Sequence, residues 1–556
     1  MAGQTHDGLE RRSVVSSFIF HFPNSLSDEP LVALFKRSDK VNTYKYVYHH
    51  PHLPLSLPLT NSRHRIAPIS GTVSRSDKSP IEAAWRELSE ETRLNSCTLT
   101  FWRAGKPFSF ADESANRHWT IYPFAFQLKG TPVGSRRDSA IQIDWEHDEW
   151  KWYNPKEVIN DGCLKDNEVP HLRESLRRVW PEGELSNKTA KALRAGLEKL
   201  RHDHESGSHE LTSIALGIFR DVIVQMQDSM GDPKWWENVQ LAAWHLIKNG
   251  RESMGAATLN ALLAALEEMD EIWRLDSDSA WKLERILTVI DHHLKCRASR
   301  AGMVKETFAS YVRSSFLSDG QSRDRLTILT LSASSTIRDS IVEAFASLDI
   351  ATLELRVLES RPLFEGVSFA SSVLSNFQAK CKDTTKKLHI NIYSDASAAI
   401  AAADVDIVLL GADRISGSKG VSNKTGSLPV VLSAKHVAPS AKVVVLSELE
   451  KVNGENGIID DEKHEDNDPN ELIKTWANDE VKGAKEVQQA FSSACRAEKS
   501  NHTLGVKNVY FEWIPLPLVD AFVSGEGALS DARIHEKASQ QQELSSRYFD
   551  SISIRY

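Results

Sequence analysis

Cysteine is scarce in this chain: five in 556 residues, with no CxxC pair. That count predicts neither a zinc cluster nor a disulfide framework, and it points to a reducing compartment. No apolar run is long enough to span a bilayer. The opening residues, MAGQTHDGLERRS, lack the apolar core of a signal peptide. The expectation is a soluble cytoplasmic protein with no membrane partner. An excess of basic residues is also missing, because the net charge is −9. That argues against a protein that coats nucleic acid, so no direct nucleic-acid partner is expected. There is no internal repeat. What is present, 41% hydrophobic and 26% charged residues, suits roughly two to four globular domains with cores of their own.

The most informative stretch is residues 405–431, VDIVLLGADRISGSKGVSNKTGSLPVV. Val405, Ile407, Val408, Leu409 and Leu410 read as a strand buried on both faces. Asp413 follows where that strand ends, and open α/β sheets bind ligands at the carboxyl ends of their strands. Asn423-Lys424-Thr425-Gly426-Ser427 then leads into an apolar helical run. One Lys and free backbone amides ahead of a helix make an anion site. The bland alternative is that Asp413 caps a turn and Lys424 is a solvated surface residue. Further strands at 327–332, 351–359, 388–394 and 441–446 alternate with Ala-rich helical runs. Alternation of this kind predicts a Rossmann-like, doubly wound parallel sheet. Its strand ends offer Ser332, Arg361, Asp413 and Lys424 to one crevice.

Five ordered pieces carry a resemblance: WHLIKNGRESMGAATLNALL, ILTLSASSTI, LESRPLFEG, GADRI with NKTGS, and FEWIPLPLVD. Together they resemble the group that holds the alpha, beta and delta subunits of translation initiation factor 2B, ribose-1,5-bisphosphate isomerase and methylthioribose-1-phosphate isomerase. The resemblance covers residues 186–556. It implies a catalytic Asp at Asp413 and a catalytic Cys at the position held here by Ser332. Arg251, Arg361 and Lys424 would hold phosphate, and Asn423 would orient a sugar. Glu252 follows Arg251 where the isomerases continue differently, so a surface Arg at a helix junction is an equal reading. Family members assemble through this half, which implies a homo-oligomer. The missing thiol leaves Ser332 a poor substitute, since a hydroxyl hardly ionises without a base beside it.

Residues 13–130 are rich in strands, with a helical pattern from Pro80. Pro80 suits a first turn and Ser79 a cap, and Ala83, Ala84, Leu88 and Glu91 fall in helical phase. Glu87, Glu90 and Glu91 share one face beside Arg86. Oxygen ligands of that kind suit Mg²⁺ or Mn²⁺. Arg-Glu-x-x-Glu-Glu is the core of the Nudix box, and this region resembles a Nudix domain. The resemblance implies Glu87, Glu90 and Glu91 as metal ligands with Arg86 in support. Two positions depart from it: Lys78 stands in place of an earlier Glu, and Arg93 in place of a Gly. A solvated acidic helix face is the alternative.

The expected architecture is an α/β multidomain chain: a Nudix-like α+β domain at 13–180, a helical domain at 186–313, and a Rossmann-like domain at 320–556. A charged stretch at about 449–505 reads as a solvated insertion. Trp235 and Trp236 read as packing residues, and His292 with His293 as no metal site. Three functions stay open. The C-terminal crevice binds a phosphorylated sugar or nucleotide, with Nudix-type hydrolysis alongside; or it isomerises a sugar phosphate; or the chain is a non-catalytic translation-regulatory scaffold.

Overall fold

The computed structural model describes residues 9–23, 29–41, 45–46, 60–61, 63–129, 140–160, 163–164, 167–203, 206–275, 279–317, 323–331, 333–381, 385–454, 458–459, 467–478, 480–494 and 504–555. Ser332 lies outside them. The chain forms two compact units. The first holds Met1–Lys199, Asp221–Asn249 and Phe549–Tyr556; the second holds Leu200–Arg220 and Gly250–Tyr548. The helical stretch after residue 186 is thus divided between both. Among the described residues, no helix is long and apolar enough to cross a membrane.

Unit 1 is built on a mixed sheet. Strand Glu10–His21 lies parallel to Arg117–Leu128 and antiparallel to Leu31–Arg37 and Ile69–Thr72. Helix Pro80–Thr92 begins at its proline, and Ser79 stands at the cap position with an extended backbone but makes no side-chain cap bond. Glu82 reaches back instead and accepts from the Lys78 amide at 2.5 Å. The helix buries Ala83, Ala84, Leu88, Glu91 and Thr92, as the 3.6-residue period requires. It ends on Arg93 in the left-handed conformation, φ 57°. That is the backbone state in which a helix-ending glycine is favoured.

Buried ion pairs tie down the rest of unit 1. Arg103 meets Glu182 at 2.7 Å. Glu174 sits between Arg177 and Arg178. Arg178 also donates to the Ile552 carbonyl at 3.0 Å, which docks the returning C-terminal segment. His245 is wholly buried, accepting from Asn249 at 2.8 Å and donating to the Arg178 carbonyl at 3.1 Å. Trp235 is buried as well, its indole N–H on the Met226 carbonyl.

Unit 2 contains a seven-stranded sheet in the order Lys387–Tyr393, Ile350–Leu358, Arg323–Thr330, Ile407–Leu410, Lys442–Leu446, Ala521–Ser524, Gly527–Leu529. All neighbours are parallel except the last pair. In chain order this reads 3-2-1-4-5-6-7, so the winding reverses between the first and fourth strands. Strand Ile407–Leu410 is buried at all four positions, because helices cover both faces of a parallel sheet. Gly366 opens the helix after the second strand. A Cβ there would lie 1.8 Å from the Leu358 carbonyl oxygen, so only glycine permits this approach.

A small second sheet follows the fourth strand: Val452–Asn453, Arg414–Ser416, Gly420–Lys424 and Phe511–Ile514. The charged stretch at 449–505 is more than a solvated loop. It contributes a strand to this sheet and forms helices Asn470–Asn478 and Ala484–Ala494. Ile459 and Ile473 are buried, and Glu471 accepts from Asn508 and from the Tyr510 hydroxyl. Sparse apolar residues among many charges concealed this anchoring in the sequence.

Candidate functional site

Asp413 stands at the reversal point of the unit 2 sheet. Strand Ile407–Leu410 delivers it, and its amide donates to the Ser422 carbonyl at 2.8 Å. Burial pushes its carboxyl above the usual carboxylate range, and four cations oppose the shift: Lys451, Arg251, Lys424 and Arg414. Lys451 donates to the Ala412 carbonyl at 2.5 Å. Arg251 donates to the Asp203 carbonyl at 2.8 Å. Arg414 is buried and stacks over Trp513 at 5.2 Å.

Lys424 is no solvated surface residue. Its side chain is 4% exposed, its ammonium lies 2.8 Å from Glu365, and it sits 4.0 Å above the Tyr510 ring. Asn423 is buried and donates to the Ser427 hydroxyl at 2.9 Å. The amides ahead of helix Ser427–Val437 were expected to be free. Two of them are taken: Gly426 and Leu428 donate to one oxygen of Glu512, at 2.6 and 3.0 Å. Gly426 holds φ 108°, which turns the chain so that both amides converge on that oxygen.

Arg361 pairs with Glu359 at 2.9 Å and lies 5.0 Å over Phe364. Sequence reasoning missed Lys451, Arg414, Glu365 and Glu512 as members of this neighbourhood. Glu365 and Glu512 lay inside quoted motifs, but nothing in their spacing marked them as partners of Lys424 or of the helix. A separate cavity of about 310 Å³ in unit 2 is lined by Asn260, His293, Glu448, Glu450, Glu526 and Arg533, not by Asp413. His293 there pairs with Glu268 at 3.0 Å.

In unit 1, Arg86 gathers the acidic helix face. It binds Asp77 through two nitrogens at 2.9 and 3.1 Å, Glu87 at 2.7 Å and Glu90 at 3.2 Å. Its fork also reaches the Thr72 carbonyl at 3.0 Å. The Arg86 guanidinium holds the Asp77 carboxyl far below the usual range. Burial pushes Glu87 up. Glu91 is pushed up to about 10, by burial first and then by the charges of Glu146 and Glu87, against Arg37. Its oxygen lies 2.6 Å from His147 Nε2. Burial drops His147 to about 4, so the ring is neutral and the shared proton belongs to the pair. Asp77 adjoins Lys78, the position that departs from the Nudix box, and supplies a carboxylate beside it. Among the described residues, no group of three or more His, Cys, Asp or Glu side chains is arranged to hold a metal ion. The donors are oxygen atoms of the type a hard cation takes, but Arg86 and His147 already engage them.

The family model described as "Initiation factor 2 subunit family" matches residues 253–531, half of the chain. The chain belongs to that family. A NUDIX domain model matches residues 33–179, so this initiation factor 2 subunit family member is fused to a NUDIX domain. No curated protein matches it. Solved structures similar to it include the translation initiation factor eIF-2B of Pyrococcus horikoshii OT3, at 15% identity, 61% of this chain, 96% of that chain and a TM-score of 0.40. The tetrameric eIF2B-beta2-delta2 complex from C. thermophilum matches at 13% identity, 64% of this chain, 96% of that chain and a TM-score of 0.42. The 5-methylthioribose 1-phosphate isomerase of Pyrococcus horikoshii OT3 matches at 15% identity, 63% of this chain, 88% of that chain and a TM-score of 0.39.

Proposed function

We propose that the crevice around Asp413 binds a phosphorylated sugar or nucleotide. The observation that carries this is the charge set at the reversal point, where Lys451, Arg251, Lys424 and Arg414 all act on Asp413. Arg and Lys side chains gathered at one strand end are the groups that recognise a phosphate. Asp413 and Asn423 supply acceptors for sugar hydroxyls, without which a carboxylate beside phosphate would be unfavourable. The test is a melting screen of the full chain against pentose phosphates and nucleoside diphosphate compounds. A true ligand at 100 times its Kd adds about 2.7 kcal/mol. No upward shift with any of them overturns the reading.

A second reading, aldose–ketose isomerisation, is favoured by the raised Asp413 carboxyl. Such a group takes a proton from one carbon and returns it to the next. Under this reading Asp413→Asn keeps binding and lowers turnover by about 10² to 10⁴. Tight binding by wild type with no conversion in a long NMR incubation rejects it and leaves a sensor or regulatory scaffold. Self-association through unit 2 is the assembly that fits either reading, and sedimentation of the full chain tests it.

For unit 1 the reading is a divalent-cation site at Glu87, Glu90 and Glu91. Its support is the crowding of Glu87 and Glu146 upon Glu91. Pyrophosphate hydrolysis at this site would require Arg86 and His147 to release those oxygens. Titrating Mn²⁺ into wild type and into Glu90→Gln/Glu91→Gln, read by electron paramagnetic resonance, tests the binding. Equal affinity in both discards it.

A further inference from the structure

Unit 2 holds a second cavity that the Asp413 crevice leaves unused. Its volume is about 310 Å³, at the lower end of small-molecule sites. All of its lining residues belong to unit 2. Helices Gly255–Leu275 and Ser279–Phe316 supply Asn260, Ala261 and Val304. The turn Leu449–Lys451 supplies Leu449 and Glu450, and Glu448 leads into it. With Ser524 also in the lining, the cavity lies at the carboxyl ends of strands Lys442–Leu446 and Ala521–Ser524, where open α/β sheets place ligands.

The polar groups left for a guest are acceptors. Asn260 is 5% exposed. Its side-chain nitrogen donates to the Glu450 and Val452 carbonyls at 2.8 and 2.7 Å. A carboxamide nitrogen has two donors, so what remains of Asn260 is its oxygen. Glu448 stands at the cap of the turn without bonding to it through its side chain. Among the described residues, its carboxylate has no ion-pair partner. Glu450 differs, because the buried Arg297 guanidinium pairs with it. Ser524 is also taken: its hydroxyl donates to the Gly527 carbonyl and accepts from the Glu526 amide. The cations around the cavity are engaged as well. His293 meets Glu268 at 3.0 Å, and Arg533 meets Glu526 and Glu536 at 3.3 and 3.0 Å. Lys537 donates to Gln540 in an exposed bond at 3.3 Å. Beside the buried apolar side chains of Ala261, Val304 and Leu449 there is thus an anionic place that offers acceptors only.

We propose that this cavity binds the primary ammonium group of a short aliphatic compound, seated on the Glu448 carboxylate and the Asn260 oxygen. An ammonium brings three N–H donors and no acceptor, which is the complement of that place. Bonds from an ionised donor to a carboxylate are the strong ones. The methylenes beside the ammonium lie against Ala261, Val304 and Leu449, as the stem of a lysine does on apolar surface. An anionic guest would meet the Glu448 charge with nothing to offset it. This site stands apart from whatever binds at Asp413.

The test is calorimetric titration of the full chain with n-butylamine and with its anionic counterpart, butyrate. Wild type should bind n-butylamine, and butyrate at least tenfold more weakly, roughly the worth of one charge-assisted hydrogen bond. Putrescine and 4-aminobutyrate, run beside them, tell a diamine source from an amino-acid source by which binds tighter. Glu448→Gln keeps the shape, removes the charge, and should weaken n-butylamine roughly tenfold. Ala264→Leu fills the cavity without touching its polar groups and should abolish binding. Butyrate binding as tightly as n-butylamine overturns the proposal. So does the absence of binding by all three amines up to about 10 mM. So does a cooperatively melting Glu448→Gln with wild-type affinity. If Glu448→Gln fails to fold, the n-butylamine and butyrate contrast in wild type and the loss in Ala264→Leu decide.

Discussion

The acidic helix of unit 1 and the basic crevice of unit 2 are mirror cases. Each presents charges of one sign that look ready for a ligand, and in each a group of the opposite sign from the protein already engages them. The difference lies in where that group comes from. Arg86 belongs to the same helix as Glu87 and Glu90, and its other partner Asp77 lies nine residues away. Glu512 reaches Gly426 across 86 residues, and Lys424, on a strand, meets Glu365 of helix Glu365–Lys380. Local pairing is set largely within one helix and the loop before it. Distant pairing between buried groups holds the fold and shapes the site together.

That comparison can be broken most sharply at Lys424. Glu365→Gln leaves a buried ammonium without its carboxylate and should lower stability by about 3 kcal/mol. Glu90→Gln, on a side chain 59% exposed, should change it by less than about 0.5 kcal/mol. Urea unfolding of both variants measures the contrast, and equal effects would erase the distinction. Next in size is Ile473→Ala in the charged stretch, where loss of a buried side chain should cost about 2 kcal/mol or more. An unchanged unfolding midpoint would return that stretch to a solvated loop.

The buried titratable groups respond to acid with opposite signs. Burial holds His171 at about 4 and His245 well below the ordinary histidine value. The unfolded chain binds protons at these histidines from pH 6.5 downward and the folded chain does not. The contribution of these two histidines is therefore complete above pH 6.5 and falls as pH drops toward about 4, by up to about 1.4 kcal/mol per pH unit per histidine. Asp413 has the opposite sign, because its raised carboxyl takes a proton more readily in the folded state. Its contribution is present below pH 3.8 and is lost as pH rises through the folded value. Melting of wild type and His171→Gln followed from pH 7 to 5 should show a smaller acid loss in the variant. An equal acid loss in both proteins contradicts this. Smallest is Arg93→Gly, which relieves a left-handed residue and should raise stability of unit 1 by roughly 0.5–1 kcal/mol, measured by thermal melting.

Much was legible in the sequence because it depends on local periodicity. The run Ile407–Leu410 reads as a strand buried on both faces, and it is one. The spacing of Ala83, Ala84 and Leu88 marks the buried face of helix Pro80–Thr92. Motif order was enough for family membership, since ordered short motifs survive where overall identity is low. The position of Asp413 after a strand followed from the same local reading. Its neighbours followed only in part: Arg414 adjoins it in the chain and Arg251 and Lys424 were expected there, but Lys451 meets it only through sheet order and loop return. The closed helix end required the register that places Glu512 opposite Asn423. The buried anchors at Ile459 and Ile473 were hidden by the charges around them. Sequence by itself determined the elements, whose 2.0 and 3.6 periods are properties of a single chain segment. Only the tertiary structure decided which charges are open to a ligand, because pairing and burial depend on distant segments that meet in space.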